Sequence, residues 1–122
     1  MTDTAFDASV RRRDGVAIID LAGNIDGLAE SRLAKAYQDA TEDGGTAQVA
    51  LNFGAVNYIN STGIALVVGL LAQARRDRRA VAAYGLSPHY REIFQITRLA
   101  DFMQLAEDEE RAVAGAAEPA KS

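Results

Sequence analysis

Asn60, Ser61 and Thr62 stand in a row before Gly63, three side chains able to donate and accept hydrogen bonds. Hydroxyls so placed can act as nucleophiles, accept a phosphoryl group or cap a helix. Nucleophilic catalysis needs a base, and the only histidine, His89, lies beside Pro88 at a predicted helix start, where it reads as solvent-facing. An acyl-transfer serine also needs an orienting acid and a Gly-x-Ser-x-Gly elbow, which Ile59-Asn60-Ser61-Thr62-Gly63 does not match. A P-loop requires its glycines, lysine and Ser/Thr in one run, and the chain has no such run. Zero cysteines exclude disulfides, thiolate metal sites and a cysteine nucleophile. The residues therefore point to a chain that is not an enzyme, with no catalytic residue, no metal and no cofactor assigned.

The elements that must carry these hydroxyls follow from hydrophobic patterning. Phe6, Ala8 and Val10 alternate with polar residues as a half-exposed strand does, Asp14-Gly15 reads as a tight turn, and Val16 to Leu21 is an interior strand. Ala29, Leu33, Ala36, Tyr37 and Ala40 recur at helical spacing within 28–41, and Glu42-Asp43-Gly44-Gly45 stops that pattern. Val49 to Phe53 and Ala80 to Tyr84 are further interior strands. Between them a helix over about 61–76 takes Ile64, Val67, Val68 and Leu71 as its core stripe, leaving Leu66, Gly69, Leu70 and Gln73 as a second, weakly polar face. Ser87-Pro88 starts another helix with Ile93, Phe94, Ile96 and Thr97 inward, and 102–105 adds a short last strand.

This order predicts one α/β domain over residues 1–106. Its sheet is mixed and mostly parallel, with four to five strands, an antiparallel N-terminal edge strand and three to four helices. A length of 122 residues leaves room for one domain. Seventeen acids against thirteen bases give a net charge of −4. Residues 107–122 hold five of those acids and two bases, so this Ala/Glu-rich tail carries −3 and reads as flexible. The nearly neutral body lacks the basic excess that direct nucleic-acid binding requires. Arg11-Arg12-Arg13 and Arg75-Arg76-Asp77-Arg78-Arg79 read as solvated faces. Met1 to Ala8 has no targeting pattern, and the apolar run Ile64 to Ala72 is too short to cross a bilayer, so a cytoplasmic protein without membrane insertion is expected.

In an open parallel sheet, binding sites gather outside the carboxyl ends of the strands. Gly23-Asn24-Ile25-Asp26, Asn57 to Gly63 and Gly85-Leu86-Ser87 come to that edge, each leading into a helix whose free N–H groups favour an anion. A helix apolar on nearly all sides is buried twice or offers an apolar patch to a partner. A hydroxyl at the rim of such a patch suits a switch, because a phosphate adds about −1.5 to −2 charge there.

Tyr58-Ile59-Asn60-Ser61-Thr62-Gly63-Ile64-Ala65-Leu66, Ala83-Tyr84-Gly85-Leu86-Ser87-Pro88 and Ile96-Thr97-Arg98-Leu99-Ala100-Asp101-Phe102 resemble the STAS domain, and within it the bacterial anti-sigma factor antagonists. Gly23-Asn24-Ile25-Asp26 is similar to that family's Gly-x-x-Asp signature, and the likeness spans roughly 6–106. The resemblance implies a partner switch. Such antagonists, unphosphorylated, bind an anti-sigma factor that is a GHKL-type serine kinase; phosphorylation ends the binding, and a PP2C-type phosphatase reverses it. By position, Ser61 is the implied phospho-acceptor with Thr62 second, and Asp26, Asn60, Ser61, Thr62, Gly63, Leu66 and Leu70 are the implied partner contacts. Many members place aspartate where this chain has Asn60, which removes a negative charge beside the hydroxyl. That departure gives some weight to an alternative found in similar proteins, a constitutive adaptor subunit of a lipid-transport ABC ATPase, whereas the fit of Ser61-Thr62-Gly63 to the family motif favours the switch. The sequence assigns no oligomeric state.

Overall fold

The computed structural model describes residues 6–42 and 46–116. The expected helix stop at Asp43-Gly44-Gly45 and the tail beyond residue 116 lie outside the described residues. β1 (Asp7–Arg13) and β2 (Val16–Ile25) form the opening hairpin. It turns at Asp14 (φ 52°) and Gly15 (φ 82°), the paired positive angles of a two-residue hairpin turn. A 3-10 turn (Gly27–Ala29) leads into α1 (Glu30–Thr41), followed by β3 (Gln48–Ile59), α2 (Ser61–Arg76) and β4 (Ala80–Tyr84). α3 (Pro88–Ile96), a second 3-10 turn (Leu99–Asp101), β5 (Gln104–Leu105) and α4 (Glu109–Ala116) follow and complete the described elements.

The five strands lie in sequence order, β1-β2-β3-β4-β5, with β1 antiparallel to β2 and every other pair parallel. Right-handed crossovers that all step in one direction put α1, α2 and α3 on the same face of the sheet. There the alternate residues Ile19, Leu21, Leu51, Phe53 and Val81 meet Leu33, Val67, Leu71 and Phe94 in the main core. Phe53 and Phe94 pack edge to face with centroids 5.6 Å apart. The intervening residues Val16, Ile18, Ala50 and Ala82 face the other way and are covered by Ala112 and Val113.

Within the described residues, that second core corrects the expectation of a flexible tail after Ala106 for the part that forms α4. Ala112 and Val113 are small, but they suffice to cover a sheet face whose own residues are largely Val and Ala, and Glu109 fastens the helix start. Its carboxylate accepts from Arg11, from Arg13 at 2.9 Å and from the Tyr84 hydroxyl at 2.8 Å. Arg11 also grips Asp20 at 2.6 Å, and Asn52 donates to Asp20 at 2.8 Å. The Arg11 guanidinium, with Tyr84 and Arg13, lowers the Glu109 carboxyl to about 2. Burial and the Glu109 hydrogen bond push the Tyr84 hydroxyl upward.

Two helices are rotated from the predicted orientation. α2 buries Gly63, Val67, Leu70, Leu71 and Ala74, whereas Val68 is 45% exposed. Because α2 is apolar nearly all round, periodicity alone leaves its rotation open, and the close approach of Gly63 to β2 selects it. In α3, Phe94 is buried and Tyr90 and Ile93 pack against the core, while Ile96 is 70% exposed and Thr97 is exposed. Thr97 is the C-cap residue of α3, beyond the last inward turn, and its hydroxyl donates to the Ile93 carbonyl oxygen at 2.7 Å.

Candidate functional site

β2 and β3 both run further than their apolar cores, so much of what reads as loop is strand: Gly23 to Ile25 pair with Val56, Tyr58 and Ile59, and Asn57 is passed over at a register shift. The two strands end side by side, at Ile25 and Ile59, and deliver Asp26 and Asn60 to one edge. Asn60 caps α2 with extended backbone, its Oδ1 accepting the Gly63 N–H at 2.8 Å. Its own N–H donates to the Ile25 carbonyl at 3.2 Å, which ties the start of α2 to β2. Gly63 faces the same carbonyl, and a β-carbon built on it would stand 2.0 Å from that oxygen. Only glycine lets α2 begin this close to β2.

Asp26 caps the neighbouring 3-10 turn, accepting the Leu28 N–H at 3.0 Å. Among the described residues no hydrogen bond joins Asp26 to Ser61; the two are related through the Asn60–Ile25 backbone bond. A β-carbon built on Gly27 would lie 3.6 Å from the Thr62 methyl, so the two turns stand close together. Ser61 and Thr62, the first two residues of α2, are exposed. Among the described residues the Ser61 hydroxyl has no protein partner, and it stands where α2 presents its free N–H groups and positive dipole end. Leu28, 89% exposed, and the exposed Tyr58 add an apolar margin that patterning did not single out.

The other expected contacts divide. Leu66 is half-buried and borders an open groove of about 610 Å³ between α1 and α2, lined also by Leu33, Tyr37, Gly69 and Leu70. Leu70 is only 7% exposed and belongs to the main core, which corrects its placement on an outer docking face. Gly63 is likewise buried against its own β2. His89 is exposed beside Tyr90, and among the described residues no hydrogen bond joins it to Ser61.

On the α3 side, Ser87 caps the helix, accepting the Tyr90 N–H at 3.3 Å. The Tyr90 hydroxyl accepts the Ile59 N–H at 2.9 Å, one residue before the Asn60 cap. Sequence reading passed over this tyrosine; its only signal is a phenol on the inner side of a helix that follows the site. Gly85 (φ 81°) turns β4 toward α3, and a β-carbon there would lie 2.6 Å from the Gly54 nitrogen. Among the described residues no helix is long and apolar enough to cross a membrane, and no three His, Asp or Glu side chains gather as a metal site.

Comparison with known proteins gives this geometry a family. The STAS domain model matches residues 7–112. A Bordetella bronchiseptica relative, BtrV, whose name carries the words anti-sigma factor antagonist, is 31% identical over 101 residues, 83% of this chain and 86% of its own. An anti-sigma factor antagonist from Mycobacterium paratuberculosis superposes with a TM-score of 0.80 at 17% identity, over 96% of this chain and 98% of its own. The Bacillus cell fate determinant SpoIIAA, in its phosphorylated form, superposes with a TM-score of 0.66 at 24% identity, over 91% and 98%.

Proposed function

This chain belongs to the STAS domain family, and from that premise we propose that it is an anti-sigma factor antagonist, a non-enzymatic switch worked by phosphorylation of Ser61. The observation that carries the reading is the Ser61 hydroxyl itself: exposed, without a protein partner, and set at the first position of a helix whose cap is already supplied by Asn60. Because Asn60 does the capping, a phosphoryl group on Ser61 leaves the helix start intact. The names of relatives such as BtrV support the antagonist role.

In the unmodified state the Asp26 turn, Asn60, Ser61, Thr62 and the exposed side of Leu66 dock on an anti-sigma factor, a serine kinase of the GHKL type that supplies ATP and catalytic groups. Phosphorylation adds about −1.5 to −2 charge at the centre of that surface. The helix N-terminus stabilises the phosphate within this chain, so the cost falls on the interface, where the added charge must be desolvated beside Asp26. The complex then separates, and a PP2C-type phosphatase restores the hydroxyl. Thr62, one residue along and also exposed, is the second acceptor.

The test is incubation with ATP and lysate of the native host, with phosphate mapped by mass spectrometry and Ser61→Ala as control. Phosphate on Ser61 in the parent, absent from the control, together with a kinase that binds Ser61→Ala and releases Ser61→Asp, is the expected result. If both variants hold the kinase as the parent does, the switch is wrong. Recovery of a transporter ATPase with no phosphate on Ser61 would make the chain a constitutive adaptor, the reading that Asn60 in place of aspartate favours.

A further inference from the structure

β4 is shorter than the strand it pairs with. It meets β3 only from Gln48 to Asn52, so from Gly54 to Ile59 the outer half of β3 has β2 on one side and no strand on the other. That half leads directly into Asn60 and Ser61. Backbone groups at a strand end without a neighbour need other partners, above all where the residue is buried, as Ile59 is.

α3 provides one. The Tyr90 hydroxyl accepts the Ile59 N–H at 2.9 Å and donates toward the Ile59 carbonyl at 3.5 Å. Tyr90 is itself fixed, its N–H on the Ser87 hydroxyl and its ring packed against the main core. From the opposite side the next residue, Asn60, is tied to Ile25 of β2. The strand-to-helix junction is thus gripped twice, by β2 through backbone and by α3 through one phenol.

We infer that Tyr90 is a positioning residue for the phospho-acceptor turn: its hydroxyl takes the place of the missing strand, ties Ile59 to α3 and holds Ser61 in one orientation. This rests on the reading of Ser61 as acceptor. Phosphoryl transfer depends on the orientation of the attacking oxygen, so a looser junction slows transfer even when docking is unchanged. A displacement of α3 reaches Ser61 by the same bond.

The experiment compares the full chain with Tyr90→Phe, which deletes the hydroxyl and keeps the ring. Amide exchange followed by NMR is expected to accelerate at Ile59 by about tenfold, the loss of one hydrogen bond to a buried amide. Val49 to Leu51, inside the paired part of β3, keep their protection. With ATP and a kinase fraction of host lysate, the maximal rate of phosphate entry at Ser61 is expected to fall about threefold or more, at an unchanged half-saturating protein concentration. Unchanged exchange at Ile59 overturns the inference. So does an equal maximal rate, or a change confined to the half-saturating concentration, which would make Tyr90 a docking contact. If the parent takes no phosphate on Ser61, the proposed switch fails, and exchange at Ile59 still decides whether the tether exists. Should Tyr90→Phe melt without cooperativity, Ser87→Ala, which loosens the helix start carrying Tyr90, provides the same readout.

Discussion

Gly63 lies against Ile25 so closely that a β-carbon on it would stand 2.0 Å from the Ile25 carbonyl oxygen and 2.7 Å from the carbonyl carbon. Both atoms belong to backbone, which cannot swing aside as a long side chain does. The relationship fixes the height at which α2 leaves the sheet, and with it the position of Ser61 two residues earlier. Gly63→Ala is expected to destabilise the fold by about 1–3 kcal/mol or more through overpacking. Gly69→Ala is the control: nothing lies within 4 Å of its β-position, and replacing glycine inside a helix is expected to add about 0.5–1 kcal/mol. Urea denaturation of the two variants should move in opposite directions.

Asn60→Ala removes the cap on Gly63 and is expected to cost about 1 kcal/mol. Asn60→Asp retains an acceptor at the same point and places a carboxylate at the positive end of α2, so its urea midpoint should match or exceed that of the parent. A large loss in the aspartate variant would show that the amide nitrogen of Asn60 matters as well.

Leu70 and Val68 trade their expected roles. Leu70→Ala should cost about 2–5 kcal/mol, the usual range for emptying a core leucine site. Val68→Ala, on the exposed side of α2, should shift stability by no more than about 0.5 kcal/mol. Thermal or urea unfolding distinguishes them, and equal effects would mean that α2 is turned otherwise than described.

The clasp on α4 depends on pH in a defined direction. Arg11 first, then Tyr84 and Arg13, hold the Glu109 carboxyl at about 2 against an ordinary 4.5. A folded-state value below the unfolded one contributes stability fully above about 4.5, and that contribution is lost as pH falls toward 2. The urea midpoint of the parent should therefore exceed that of Glu109→Gln at neutral pH, and the gap should narrow as pH is lowered through this window. A gap that stays constant down to the acid end would assign the effect to something other than ionisation.

The strand and helix order, the antiparallel hairpin and the site edge were legible because apolar period and turn residues agreed locally. Ser61–Arg76 and Ala80–Tyr84 begin and end where patterning puts them. Three features were not legible, each for a physical reason. The rotation of α2 depends on one glycine meeting one carbonyl, which leaves no periodic trace. The tail from Glu107 has the acidic, alanine-rich composition of a solvated segment, yet Ala112 and Val113 pack because the sheet face opposite needs only small residues. The Tyr90 bond to Ile59 spans thirty-one positions, and nothing in either residue's neighbourhood announces the other. In the site itself, Asn60, Ser61, Thr62 and Asp26 come to one edge, whereas Leu70 turns inward.

Glu109 is separated from Arg11 by 98 positions, and the strands between them lie side by side in the order in which they are made. A chain growing from its N-terminus can add each strand to the last as it emerges. The face of Val16, Ile18, Ala50 and Ala82 stays bare throughout, with Arg11 and Arg13 waiting on the first strand. A stalled or truncated product that stops before Glu109 therefore displays a continuous apolar sheet, a sticky surface that proteases and chaperones recognise. Completing the clasp distinguishes a finished molecule from a fragment of one.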